Sequence, residues 1–300
     1  MALQKQNHLI DPSMLEALPH ATGIYIFRGD GPLPLYIGKS TDIRSRVLTH
    51  LRDRYKRKMI KQSRRVNYVE TSGDIGAQLL EALFIKQYNP FYNIRLRKIR
   101  KLYSIRILKK PTGLVTDIIG GKDVVIGQTE NLYGIFRSQR AASDRLRDLA
   151  SLNHLCHGTI GLESLNGRGC FGLQVRSCRG VCIGKEDRQI HDQRLIAALD
   201  EMKVHVWPYP AAIDLIEESN GWIQRHRIDQ WRYLGTWCSR RQSFIPCDQQ
   251  IFDLDIYKIL VKPIITGQVY IEPAPDMSSL SPSIQSERQT SSLELRASKA

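Results

Sequence analysis

No stretch of the 300 residues approaches the run of about eighteen apolar residues that a membrane span needs. Residues Met1 to Pro12 hold no apolar core of a secretory signal. The expectation is a soluble cytoplasmic chain with no membrane partner. No internal repeat is present, which excludes a solenoid. Acidic residues are scarce in one place only. Residues 1–110 carry 8 Asp/Glu against 22 Lys/Arg, a net of +14, whereas residues 111–300 carry 22 of each. The whole formal charge of +14 therefore lies in the N-terminal third and points to a polyanionic partner there. Hydrophobic residues at 42% and charged residues at 25% allow a real core and exclude wholesale disorder. The 6 cysteines of a cytoplasmic chain are expected to be reduced, so a cluster of them reads as metal ligands rather than disulfides.

The runs TGIYIFR (Thr22 to Arg28) and LYIGK (Leu35 to Lys39) are short, aromatic and β-branched. They flank the turn signal Gly29-Asp30-Gly31-Pro32 and predict two antiparallel strands. Ser40 or Thr41 can cap a helix starting near Asp42, with Ile43, Val47 and Leu51 at i, i+4 and i+8. Val66 to Glu70 reads as a third strand. Ile75 to about Tyr88 reads as a second helix, capped by Ser72 or Asp74 and stopped by Pro90, with Ile75, Leu79, Leu80, Leu83 and Phe84 in one broad stripe.

Beyond the basic joint 95–101, strands are expected at Leu102 to Leu108, Val115 to Ile119 and Val124 to Ile126. A helix is expected at Gln139 to Leu152 and another ending near Met202. The pattern further on predicts a helix over Ala211 to Ile223 and strands over Trp231 to Trp237, Ile256 to Pro263 and Gln268 to Ile271. The Ser-, Pro- and Gln-rich end, 272–300, is expected to be a disordered tail. The fold class is thus α/β (α+β): a small antiparallel sheet flanked by helices over 16–97, joined to a mixed α/β part over 98–271.

Two kinds of residue cluster carry chemistry. The hairpin presents Gly23-Ile24-Tyr25 and Tyr36-Ile37-Gly38, followed by Lys39, then by Arg46 in the first helix, Glu81 in the second and Asn93 just beyond it. At about 100° per residue Glu81 falls off the stripe of Ile75, Leu79 and Leu83, as a carboxylate facing a cleft or solvent must. Between Arg52 and Arg65 there are eight cations in fourteen residues, with Asp53 the only acid. Arg44, Arg54, Lys56, Arg57, Lys58, Lys61 and Arg64, continued by Arg95 and Arg97, form a track suited to backbone phosphates. Farther on, Cys156, Cys170, Cys178 and Cys182 fall within 27 residues, separated by thirteen, seven and three. Four thiolates suit tetrahedral ligation of Zn²⁺ or an iron–sulfur cluster. Cys238 and Cys247 lie outside the run and are expected to pack in the core or lie free.

The segments ATGIYIF, LYIGKS, RSRV, LLEALFIKQYNPFYN and the cysteine run resemble the GIY-YIG nuclease family, in its UvrC-like branch, and within it the short Cho-type excinucleases. The resemblance implies a metal-dependent DNA endonuclease that makes the 3′ incision beside a lesion in nucleotide excision repair. It assigns catalytic positions to Tyr25, Tyr36, Lys39, Arg46 and Glu81, with Asn93 in support. Glu81 would hold Mg²⁺ or Mn²⁺, and Arg46 the scissile phosphate. A Tyr25 phenolate would activate water, its pKa lowered by Lys39 or Tyr36. The resemblance places [4Fe–4S] ahead of zinc at the four cysteines and implies damaged double-stranded DNA and UvrB as partners. Two rivals are a homing or restriction-type GIY-YIG endonuclease, which would need a base-reading module, and a catalytically inactive DNA-binding scaffold.

Overall fold

The computed structural model describes residues 8–93, 102–121, 127–165, 169–248 and 250–275. The expected strand at 124–126, the cations of 95–101 and all but the first residues of the expected tail lie outside them.

The N-terminal sheet has strands β1 (Gly23–Arg28), β2 (Pro34–Ser40) and β3 (Arg65–Glu70), in the order β2-β1-β3, both pairs antiparallel. Strand alternation sends Tyr25, Phe27 and Tyr36 to one face and Ile24, Ile26 and Ile37 to the other. The first face is covered by a short helix α1 (Pro12–Glu16), by α2 (Ile43–Arg52) and by α3 (Arg57–Gln62). Asp42, rather than Ser40 or Thr41, caps α2, its carboxylate accepting from Ser45 N at 2.9 Å. The basic run is ordered: a 3-10 turn, Arg54–Lys56, capped by Asp53, leads into α3.

Helix α4 (Asp74–Tyr88) covers the second face. Its broad apolar stripe is two faces. Ile85, with Leu80, Phe84 and Tyr88, packs on the N-terminal sheet, while Ile75, Leu79 and Ala82 belong to the core of the C-terminal unit. The helix is therefore shared between two cores. Neither Ser72 nor Asp74 caps it. Gly73 takes the N-cap position, and Asn89 ends the helix in the left-handed region.

The middle unit is a sheet β5-β4-β6, from β4 (Tyr103–Lys110), β5 (Gly113–Gly120) and β6 (Leu132–Phe136), with α5 (Gln139–Leu152). The cysteine segment follows, built on α6 (His157–Ile160), α7 (Phe171–Gln174) and a 3-10 turn Val181–Ile183. Helix α8 (Arg188–Asp200) then returns to pack with α5 around Leu146, Leu195 and Leu199.

Two sequence expectations fail in the C-terminal unit. Residues 211–223 do not form a helix. They give strand β7 (Ile213–Ser219) and open β8 (Trp222–Asp229), because Asn220 (φ 49°) and Gly221 (φ 75°) make a two-residue hairpin turn with both residues left-handed. Residues 256–263 do not form a strand. They lie in helix α9 (Leu254–Ile265), which Asp253 starts by accepting from Asp255 N and Ile256 N, and whose Ile256, Leu260 and Ile264 fill the core at helical spacing. With β9 (Arg232–Cys238), β10 (Ser243–Pro246) and β11 (Tyr270–Pro273) the sheet order is β10-β9-β8-β7-β11, all antiparallel. The last strand takes up Glu272 and Pro273, the first residues of the expected tail. Cys238 and Cys247 are both buried, as a place in the core requires.

Among the described residues no helix is long and apolar enough to cross a membrane.

Candidate active site

Strand β2 is the edge of its sheet, so its outward N–H and C=O groups need partners. Residues of the predicted site supply them. The Asn93 side chain accepts from Ile37 N (2.9 Å) and donates to Ile37 O (2.8 Å). The Glu81 Oε1 atom accepts from Lys39 N at 3.1 Å. Helix α4 and the segment after it are thereby pinned along the strand that carries Tyr36, Gly38 and Lys39.

Gly38 stands opposite Tyr25 in the β1–β2 register. A Cβ there would lie 2.4 Å from the Tyr25 hydroxyl oxygen and 2.9 Å from Tyr36 Cε1. The absence of a side chain is what lets the two tyrosines converge, with ring centroids 6.2 Å apart. Tyr25 is 1% exposed and its hydroxyl lies 2.7 Å from His50 Nε2. His50 comes from the buried face of α2 and packs against the rings of Tyr25, Phe27 and Tyr36. Sequence reasoning missed it, although a signal existed: Ile43 and Val47 are buried with Leu51 packed beside them, and His50 falls on the same face.

The electrostatics correct one expectation. The Tyr25 phenol is not made acidic by Lys39 or Tyr36. Burial raises its pKa first, and the neighbouring Tyr36 raises it further, while the Arg46 guanidinium only partly opposes them. Tyr36 is raised as well, by burial and then by the Glu81 charge. The Lys39 ammonium is engaged elsewhere, at 2.7 and 2.8 Å from the two carboxylate oxygens of Asp74. Burial, and then the charges of Lys56 and Arg46, push His50 down to about 4. At neutral pH a protonated phenol therefore meets a neutral imidazole, and one hydrogen bond joins the Tyr25 hydroxyl to His50 Nε2. Burial also raises Glu81, against the opposing pull of the Lys39 amide and ammonium. Among the described residues nothing hydrogen-bonds its second oxygen, so one carboxylate oxygen is left for a cation.

The displaced pKa of His50 has a consequence for stability. Unfolded His50 takes up a proton near 6.5, the folded residue only near 4, so its contribution is complete above about 6.5 and is lost as pH falls to about 4. Unfolding titrations of the wild type and His50→Gln should diverge in slope across that window. Parallel slopes would show that the imidazole is not held neutral by its surroundings.

The remaining predicted cations divide. Arg46 is exposed on α2 close enough to Tyr25 to act on its pKa. Lys56 reaches back over the Tyr36 ring, 4.1 Å from its centroid. Arg54, Arg57, Lys58 and Lys61 are exposed along the 3-10 turn and α3. Arg44 is not with them; its guanidinium donates to the carbonyl oxygens of Glu16 and Leu18. Arg64 pairs with Asp30 at 3.2 Å. Arg95 and Arg97 lie outside the described residues.

The four cysteines do converge. The sulfurs of Cys156, Cys170, Cys178 and Cys182 all lie within 4.8 Å of one another, so one metal centre can bridge them. Backbone N–H groups of Thr159, Gly180 and Cys170 point at the sulfurs of Cys156 (3.4 Å), Cys178 (3.2 Å) and Cys182 (3.4 Å). Such donors stabilise thiolates bound to a cation.

The model of the UvrC-like GIY-YIG domain matches residues 21–94, that of the UvrC/Cho excinuclease middle domain residues 103–201, and that of the excinuclease Cho C-terminal domain residues 212–278. Excinuclease Cho of Escherichia coli (strain K12) is 40% identical over 270 residues, covering 88% of this chain and 90% of that protein. The chain belongs to the UvrC/Cho excinuclease family. It is a metal-dependent DNA endonuclease of excision repair. UvrABC system protein C of Methanothermobacter thermautotrophicus is 31% identical over 181 residues, 58% of this chain but 29% of that longer protein. Among solved structures, the GIY-YIG N-terminal endonuclease domain of UvrC from Thermotoga maritima, bound to magnesium, is 26% identical and covers 31% of this chain and 100% of that one, with a TM-score of 0.26.

Proposed function

We propose that this excinuclease hydrolyses one phosphodiester on the 3′ side of a lesion in duplex DNA, at the site formed by Tyr25, Tyr36, Lys39, Arg46, His50 and Glu81. The observation that carries the reading is the convergence at the open edge of β2: a half-buried carboxylate with one free oxygen stands beside two tyrosines and a neutral imidazole. Glu81 would hold Mg²⁺ or Mn²⁺, a single carboxylate suiting an ion that keeps most of its waters. The cation would neutralise charge on the leaving 3′-oxygen.

The protein's own groups do the rest. Tyr25 and His50, joined by a hydrogen bond, orient the attacking water from the buried side of the site. Burial keeps both the phenol and the imidazole uncharged at neutral pH, so the cation that Glu81 would hold would supply the acidity of the attacking water. Arg46 anchors the non-bridging oxygens of the phosphate. Asp74 fixes the Lys39 ammonium at the mouth of the site, and Asn93 holds β2 at Ile37, next to Tyr36. Arg54, Lys56, Arg57, Lys58 and Lys61 contact the DNA backbone without reading bases, and no element of the described fold presents a helix for the major groove. Lesion choice then falls to a partner, UvrB bound at the damage, with the reaction taking place in the cytoplasm. Cys156, Cys170, Cys178 and Cys182 hold a structural [4Fe–4S] cluster, Zn²⁺ being the rival occupant.

The test is a duplex carrying one bulky adduct, incubated with the protein and Mg²⁺, with UvrB loaded or omitted. The expected product is a single nick on the 3′ side of the adduct, stimulated by UvrB. Cleavage of undamaged DNA at one fixed sequence would replace the reading with that of a restriction-type enzyme.

A further inference from the structure

Helix α4 carries Glu81 and begins with Asp74, so its placement sets two of the groups just discussed. Its first free N–H groups are not satisfied by a residue of the nuclease domain. The carboxylate of Glu217, on β7 of the C-terminal sheet, accepts from Ile75 N at 2.9 Å and from Gly76 N at 2.7 Å. A charge at a helix N-terminus is favoured by the helix dipole as well as by the two hydrogen bonds. Glu217 is itself held. His226 Nε2 lies 3.1 Å from its Oε2, and His226 Nδ1 lies 2.7 Å from Thr236 Oγ1. A neutral imidazole satisfies both contacts when Thr236 donates to Nδ1 and Nε2–H donates to the carboxylate.

The nuclease domain is shaped to receive this pair. A Cβ on Gly73 would lie 2.2 Å from Glu217 Oε1, and one on Gly76 would lie 2.8 Å from His226 Cε1. Ser72 adds a second tie, its N–H donating to Gln224 at 2.9 Å and its hydroxyl to Glu217 O at 3.0 Å. The residue between the capped amides and Gly73 is Asp74, which holds the Lys39 ammonium. Glu81 follows less than two turns along the same rigid helix.

We infer that Glu217, backed by His226, is a positioning residue of the nuclease: through the first turn of α4 the C-terminal sheet sets where Asp74 meets Lys39 and where Glu81 meets the cation. This deepens the function proposed above and rests on Glu81 being the cation ligand. The C-terminal unit is then part of the catalytic apparatus.

The experiment uses the full chain and two variants that disturb the contact in different ways. Glu217→Gln keeps the shape but gives up one acceptor and the charge. Gly76→Ala keeps the charge of Glu217 but pushes on the His226 imidazole (2.8 Å) and on Glu217 Oε2 (3.1 Å), so both must shift. Both are expected to lower the single-turnover rate at saturating adduct DNA by roughly 10- to 100-fold, since misplacement by about 1 Å has that effect. Mn²⁺ affinity, read by electron paramagnetic resonance of the free ion, should weaken severalfold, with DNA affinity nearly unchanged. Arg240→Gln breaks an exposed inter-unit pair with Glu70 (3.0 Å) and should leave rate and metal affinity as they were. A lowered melting temperature with wild-type rate and Mn²⁺ affinity per folded molecule would reduce Glu217 to a structural cap and overturn the inference. Failure of the unaltered chain to cleave would sink the functional reading instead. The Mn²⁺ arm still decides the positioning role in that case, because unchanged metal affinity in both variants contradicts it.

Discussion

Glu81→Ala is expected to abolish nicking, by a factor on the order of 10³ or more, while DNA affinity stays nearly unchanged. The size follows from what one carboxylate does here. Lys39 is neutralised by Asp74, and the two tyrosines are uncharged at neutral pH. Asp74 is the neighbouring acid, and both its oxygens are taken up by Lys39, so loss of the cation removes several kcal/mol of charge stabilisation. Affinity survives because the exposed cations of the 3-10 turn and α3 are on the opposite face of the sheet from α4.

Glu81→Gln sharpens the test. The amide oxygen can still accept from Lys39 N, so the strand edge remains satisfied, and only the charge is lost. Burial raises the pKa of Glu81, which means that the fold disfavours its charged form. Glu81→Gln should therefore melt at the same temperature as the wild type or slightly above it, yet fail to cleave. That separation of stability from activity marks a residue kept for chemistry. A folded variant cleaving within about tenfold of wild type would refute the assignment of Glu81 as the cation ligand.

Local signals made the nuclease domain legible. Gly29-Asp30-Gly31-Pro32 announced the hairpin, and helical spacing announced α2 and α4. Glu81, set off the apolar stripe, does face the edge of β2. The residues that went unread depend on contacts between distant parts of the chain. His50 looks like an ordinary helix residue until Tyr25 is folded over it. Glu217 lies about 140 residues from the amides it caps, and nothing in its neighbourhood marks it.

In the C-terminal unit local propensity misled in both directions. Ile213, Ile216 and Ile223 imitate a helix, but Asn220-Gly221 turns the chain back on itself. The β-branched and aromatic run 256–263 imitates a strand, yet it is a helix buried deeply enough that apolar residues occupy most of its circumference. The hairpin signal at Asn220-Gly221 was present in the sequence and outweighs the apparent periodicity.

Replacing Cys178 by alanine is expected to unfold the segment around residues 156–182 and to release its metal. The argument starts from how little this segment can bury. Its elements are two four-residue helices and one 3-10 turn, and its core consists of the cysteines themselves with Leu173 and Val181, while Phe171 and Val175 lie exposed. A region this small draws its stability from a metal or from disulfides, and all four cysteines are free. Without a cation, burial pushes the Cys178 thiol up to about 11 and raises Cys170 as well, so these two give up their protons only when a metal takes the protons' place. Three backbone N–H groups already point at sulfur, ready for that charge.

Protein purified without oxygen should be brown and carry about four irons and four sulfides per chain. Cys178→Ala should be colourless and lose the melting transition of this segment. Because the cores of the nuclease domain share no residue with this segment, that domain should keep its fold, which hydrogen exchange of the β1 and β2 amides can follow. Stoichiometric zinc in place of iron would keep the site and overturn the cluster. Absence of both metals, with Cys178→Ala as stable as wild type, would return the four residues to the role of small core side chains.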